Sequence, residues 1–114
     1  MRKRGFLWLL ALATSVGFAQ ASSKAFELAL ADGRIAAERS TLRVKKGDQV
    51  ELRWTSDRAI ALHLHGYDLE SKVAPQAPAT MSFTASIAGR FPVTEHARAG
   101  AHHHRTVLYL EVHP

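Results

Sequence analysis

Val50-Glu51-Leu52-Arg53-Trp54-Thr55 alternates apolar with charged or polar residues at every step. Side chains of a strand point to opposite faces in turn, so this spacing predicts a half-buried strand with Val50, Leu52 and Trp54 on the core side. Upstream, Lys46-Gly47-Asp48 supplies a turn, and Leu42 and Val44 alternate with Arg43 and Lys45 before it. Earlier still, Phe26, Leu28 and Leu30 alternate with Glu27 and Ala29 and run into Asp32-Gly33, a strong turn signal. Ile35 to Arg39 reads either as a strand continuation or as a short helical turn, because Ala, Glu and Arg favour helix.

Downstream, Ser56-Asp57-Arg58 is turn-like, and Ile60, Leu62 and Leu64 resume the alternation with His63 and His65 on the other face. Gly66 ends that strand, and Asp68 is expected to hydrogen-bond its own backbone in the turn. Ala74 to Pro78 holds two prolines and reads as a loop. Thr80 to Ser86 predicts a strand with Met81, Phe83 and Ala85 on one face. Phe91 to Glu95 predicts a short strand, and Pro92 suggests an edge position because proline cannot donate to a ladder. Ala97 to Arg105 reads as a polar loop, and Val107 to Val112 as the closing strand. About seven short strands with turns between them indicate an all-β antiparallel sandwich or barrel, with Trp54 and Met81 in its core.

Residues 1–21 carry a different pattern. Arg2, Lys3 and Arg4 precede the apolar run Phe6 to Ala13, and Ala19-Gln20-Ala21 offers small residues for cleavage, so a signal peptide ending at Ala21 is expected. Phe6 to Ala19 is short for a membrane span, which needs about 20 residues. Residues 22–114 then form one domain, periplasmic or secreted, with no membrane span left after cleavage.

Export also changes the charge. The whole chain of 114 residues carries +5, but three of its 15 Lys and Arg lie in the leader and none of its 10 Asp and Glu do, so the remainder carries +2. No Lys/Arg cluster with interleaved aromatics remains, which argues against nucleic acid as partner. Cysteine is absent, which removes disulfides and all thiolate chemistry.

Histidine is where chemistry is expected. His63 and His65 share a strand face, while His96 and His102, His103 and His104 flank or occupy the last loop. Strands distant in sequence often lie side by side in a sandwich, so the two sets are expected to meet. Imidazoles then provide a metal site suited to copper first and zinc second, with His65 and His96 as the leading ligands, His63 and one of His102 to His104 completing the set, and Glu95 either an oxygen donor or an ordinary surface carboxylate. Plain surface histidines are the competing reading of His63 and His65, and an adventitious His-rich tract that of the loop. His113 is expected to be exposed and idle, and Asp68 to be a turn residue rather than a ligand. No nucleophile-elbow or zinc-protease pattern frames the Ser, His and Asp residues, so no enzyme is expected.

Leu42-Arg-Val-Lys-Lys-Gly-Asp-Gln-Val-Glu-Leu-Arg-Trp54 resembles the cupredoxin segment of strand, Gly-Asp turn and strand that precedes the first histidine ligand. Leu62-His-Leu-His-Gly-Tyr-Asp68 stands where that ligand belongs, Gly89-Arg-Phe-Pro-Val-Thr-Glu-His96 resembles the strand leading to the copper loop, and Leu108-Tyr-Leu-Glu-Val112 resembles the closing strand. The resemblance spans residues 25–113 and implies a cupredoxin-like Greek-key β-sandwich, most similar to a cysteine-less subgroup of exported bacterial proteins. Cupredoxins carry a cysteine ligand where Glu95 and His96 stand here, so the resemblance implies no blue-copper centre, which requires the copper–thiolate bond. What it implies instead is a protein that holds, delivers or senses copper(II). The alternative is a metal-free sandwich acting as an accessory subunit for a periplasmic protein partner.

Overall fold

The computed structural model describes residues 5, 10–15, 22–96 and 104–114, with the side chain of His104 outside that set. Eight strands follow in order: β1 (Ser23–Leu30), β2 (Thr41–Lys45), β3 (Gln49–Ser56), β4 (Ile60–Leu64), β5 (Leu69–Val73), β6 (Ala79–Thr84), β7 (Gly89–His96) and β8 (His104–His113). They form a three-stranded sheet, β1-β3-β6, and a five-stranded sheet, β2-β8-β7-β4-β5. Among the described residues the only helical element is a 3-10 turn at Ala37–Arg39, which settles the ambiguous stretch as helical.

The alternation found in the sequence builds the interior. Leu28, Leu52 and Trp54 from one sheet meet Leu62, Leu64, Val93, Leu108 and Leu110 from the other, all at 0 or 1% exposure. Each such side chain contributes about 1.5–3 kcal/mol on leaving water. In β4 the pattern is strict: Ile60, Leu62 and Leu64 point inward, so Ala61 and His63 point out.

Three expectations need correction. The sandwich is all-β, but β1 pairs with β3 and β2 with β8 in parallel. Asp32 and Gly33 both take positive φ and make the expected tight turn, after which the chain crosses to the other sheet. Pro92 does not mark an edge, because β7 lies between β4 and β8. Its carbonyl accepts the His65 N–H at 3.1 Å, on the side where β4 has ended and turned at Gly66. The missing proline N–H shares that side, so the proline forgoes only one bond, at the end of the β4 ladder. Finally, β5 was not foreseen. Leu69, Ser71 and Val73 face inward, but one serine among three short inward residues leaves little hydrophobic signal, and β5 is an edge strand.

The turn between β4 and β5 is held from several sides. Gly66 adopts φ +84° against the Phe91 ring. The Tyr67 hydroxyl donates to the Ile87 carbonyl at 2.8 Å and accepts the Ile87 N–H at 3.1 Å. The Tyr67 ring lies 4.8 Å from that of Phe83 and 5.0 Å from that of Phe91. This anchorage fixes where His65 leaves the sheet.

Candidate metal centre

Register decides the site. β4 pairs antiparallel with β5 and β7, placing Glu70, His63 and Thr94 in one row across the sheet and Lys72, Ala61 and His96 in the next. Paired residues share a face, so all six lie on the outer surface of the five-stranded sheet. The donor atoms of His63, Glu70 and His96 all fall within 4.8 Å of one another. The His63 ring centroid is 5.5 Å from that of His96 and 4.2 Å from that of His65. His63 in the middle of the chain and His96 nearer its carboxyl end therefore meet on one sheet face.

Side chains around the donors hold them in place. Nε2 of His63 lies 3.2 Å from the Asp68 carboxylate, so Asp68 serves the histidine rather than its own backbone. Asp68 reaches this position with φ +55°, a conformation that aspartate tolerates better than most residues. Nε2 of His65 lies 2.9 Å from the Thr94 hydroxyl, and Thr94 is itself buried. Metal-binding imidazoles are commonly oriented in this way, through a bond from the ring nitrogen that the metal does not use.

Glu95 is not part of the centre. It pairs with Leu62, on the opposite face from His96, and its carboxylate lies 2.9 Å from Arg58 and 3.6 Å from Arg105. Arg105 also donates to the Gly33 carbonyl. Thus, in the region where the cupredoxin resemblance expects a thiolate, this chain has a carboxylate clasped by two guanidinium groups. A Cβ at Gly33 would come within 3 Å of both arginines and of Glu95, so the ion-pair cluster rests on bare backbone.

The other candidates divide as follows. His65 adjoins His63 but is not one of the three convergent donors. His102 and His103 lie outside the described residues; the backbone of His104 opens β8 in register with His96. His113 is exposed, as expected, with its Nε2 3.4 Å from the Glu111 carboxylate. Glu70 escaped the sequence reading because β5 did. The signal that could have found it is the alternation of Leu69, Ser71 and Val73 after a tight turn, which turns Glu70 outward beside His63.

Two imidazoles and a carboxylate form a nitrogen–oxygen donor set of the kind copper(II) and zinc accept. Metal–nitrogen bonds of about 2.0–2.1 Å place two donors at the tetrahedral angle about 3.4 Å apart, so donors up to 4.8 Å apart must draw in by as much as roughly 1.4 Å, a side-chain movement. The donor types fit the ion.

No protein-family model matches the chain, and no curated protein does. Solved structures do. One chain of a heme-copper terminal oxidase dimer superposes with a TM-score of 0.63 at 20% identity, over 78% of this chain and 64% of that one. The blue copper oxidase from Nitrosomonas europaea gives 0.60 at 20% identity, over 82% and 39%. A copper binding protein in its apo form gives 0.58 at 11% identity, over 83% and 99%. The fold is cupredoxin-like. This cupredoxin-like chain spans less than two thirds of the two oxidase chains but nearly all of the copper binding protein. At these identities the likeness carries architecture alone, and the metal question rests on the outer-face histidines.

Proposed function

We propose that this chain is an exported cupredoxin-fold protein that holds copper(II) on His63, His96 and Glu70, with His65 packed beside them and Asp68 orienting His63. The observation that carries the reading is the meeting of donors from β4, β5 and β7 within 4.8 Å on one sheet face. Copper stands ahead of zinc because a nitrogen–oxygen site binds divalent copper more tightly across the first-row series. A site without thiolate or thioether favours tetragonal copper(II), and reduction to copper(I) then demands rearrangement. Holding, delivery or sensing of the metal suits it better than rapid electron transfer, and we read the chain as non-enzymatic. Export rests on the pattern of residues 1–21; among the described residues no helix is long and apolar enough to cross a membrane.

Calorimetric titration of the purified chain with copper(II) tests this. One equivalent is expected to bind at sub-micromolar strength. His63→Ala or His96→Ala is expected to weaken it by more than the roughly 100-fold that loss of an outer partner of a ligand can reach. Binding that survives both substitutions and disappears only on deletion of 102–104 assigns it to the histidine tract instead. No binding at all leaves a metal-free sandwich that acts through protein contacts.

A further inference from the structure

Two hollows adjoin the proposed centre. The smaller, about 390 Å³, is bordered by Ala61, Glu70, Lys72 and His96 on the outer sheet face. The larger, about 820 Å³, shares Ala61, Lys72 and His96 and continues along Ala59, Ala74 and Ala77, with Arg58 and Glu95 also bordering it. The shared residues are one row of the sheet, with Lys72 and His96 facing each other across Ala61. Two strand spacings separate their backbones by roughly 9.5 Å. The methyl group of Ala61 leaves that interval open, and the lysine side chain is long enough to bring its ammonium to the metal-binding edge. No ion pair among the described residues involves Lys72.

Charge indicates what belongs there. A divalent ion on two imidazoles and one carboxylate retains one positive charge, the Asp68 carboxylate beside His63 offsets it, and the Lys72 ammonium leaves the surroundings with one positive charge. Three protein donors also leave coordination positions open, as in metal sites that accept an exogenous ligand. The wall beyond Lys72 is largely alanine, with the paired Arg58 and Glu95 at its border. Resting on the copper reading above, we propose that the centre takes a small organic carboxylate as an additional ligand. Its oxygen would take an open metal position and its charge would meet Lys72, while its hydrocarbon part would lie along Ala59, Ala74 and Ala77. Binding exchanges a metal-bound water for the carboxylate oxygen, with no change of oxidation state.

The test uses the copper(II)-loaded chain titrated with acetate and with pentanoate, read by calorimetry and by the copper electron paramagnetic resonance spectrum. Pentanoate is expected to perturb the spectrum and to bind several-fold more tightly than acetate. Lys72→Met is expected to weaken both by about tenfold, the scale of a lost charge-assisted hydrogen bond, while copper affinity and melting temperature stay near those of the parent. Ala61→Leu, which fills the hollow, is expected to reduce pentanoate binding while copper still binds. Copper binding with no spectral response to pentanoate overturns the inference and leaves the copper reading standing. So does a pentanoate affinity indifferent to Lys72→Met or no greater than that of acetate. Failure to bind copper at all refutes the copper reading first, and the carboxylate site with it.

Discussion

Gly66→Ala is the substitution on which the structure makes its sharpest demand. The residue sits at φ +84°, where a side chain costs about 1–2 kcal/mol. Its new Cβ would lie 2.2 Å from Cδ1 and 2.5 Å from Cε1 of Phe91, far inside contact distance. The Tyr67 ring, 5.0 Å away between centroids, limits the retreat of Phe91 on one side. Forcing extra volume into such a place costs a further 1–3 kcal/mol or so. The sum is about 2–5 kcal/mol, a large share of the 5–15 kcal/mol typical of a domain. At roughly 4–8 °C per kcal/mol for a domain of this size, thermal unfolding followed by circular dichroism should show the midpoint fall by at least about 8 °C. The clash is also specific to one partner. Phe91→Leu alone should destabilise, but combined with Gly66→Ala it should cost clearly less than the two changes added, because the smaller side chain vacates the space. A Gly66→Ala midpoint within about 3 °C of the parent, or strict additivity in the double variant, would refute the close approach of Phe91 to this turn.

Three further outcomes are expected. Asp48 accepts the Lys45 N–H and the Ser22 hydroxyl, which together hold its pKa below the usual 3.8. A depressed folded value means its contribution is complete above the unfolded pKa and is lost as pH falls towards the folded one. Melting midpoints at about pH 5, 4 and 3 should therefore drop more steeply for the parent than for Asp48→Asn, and parallel curves would count against the assignment. Glu95→Gln should lose about 1–2 kcal/mol in urea unfolding, since two partly exposed arginines forfeit their counter-charge, yet leave copper affinity unchanged. A loss of copper affinity would restore Glu95 as a ligand. Tyr67→Phe should cost about 1–2 kcal/mol through its two bonds to Ile87; an unchanged midpoint would show those bonds contribute nothing.

The linear sequence was sufficient for the sandwich. Period-two alternation in residues 50–55 and 60–64 says which side chains leave water, and that preference acts strand by strand, without knowledge of the neighbours. It also placed His63 and His65 on the wet face and identified the turns at Gly47 and Gly66. What tertiary structure alone decided is register and strand order. Proline at position 92 predicted an edge from local chemistry, but the end of β4 beside it created a gap in the ladder that no local rule anticipates. Glu95 and His96 are adjacent in the chain and chemically equal candidates; the pleat sends one to the arginines and the other to the histidines. Glu70 became a donor only because β5 pairs with β4 in the register that puts it opposite His63. Burial is a property of each residue and its neighbours in sequence, whereas a metal centre depends on distances between strands, which are set when the sheet assembles.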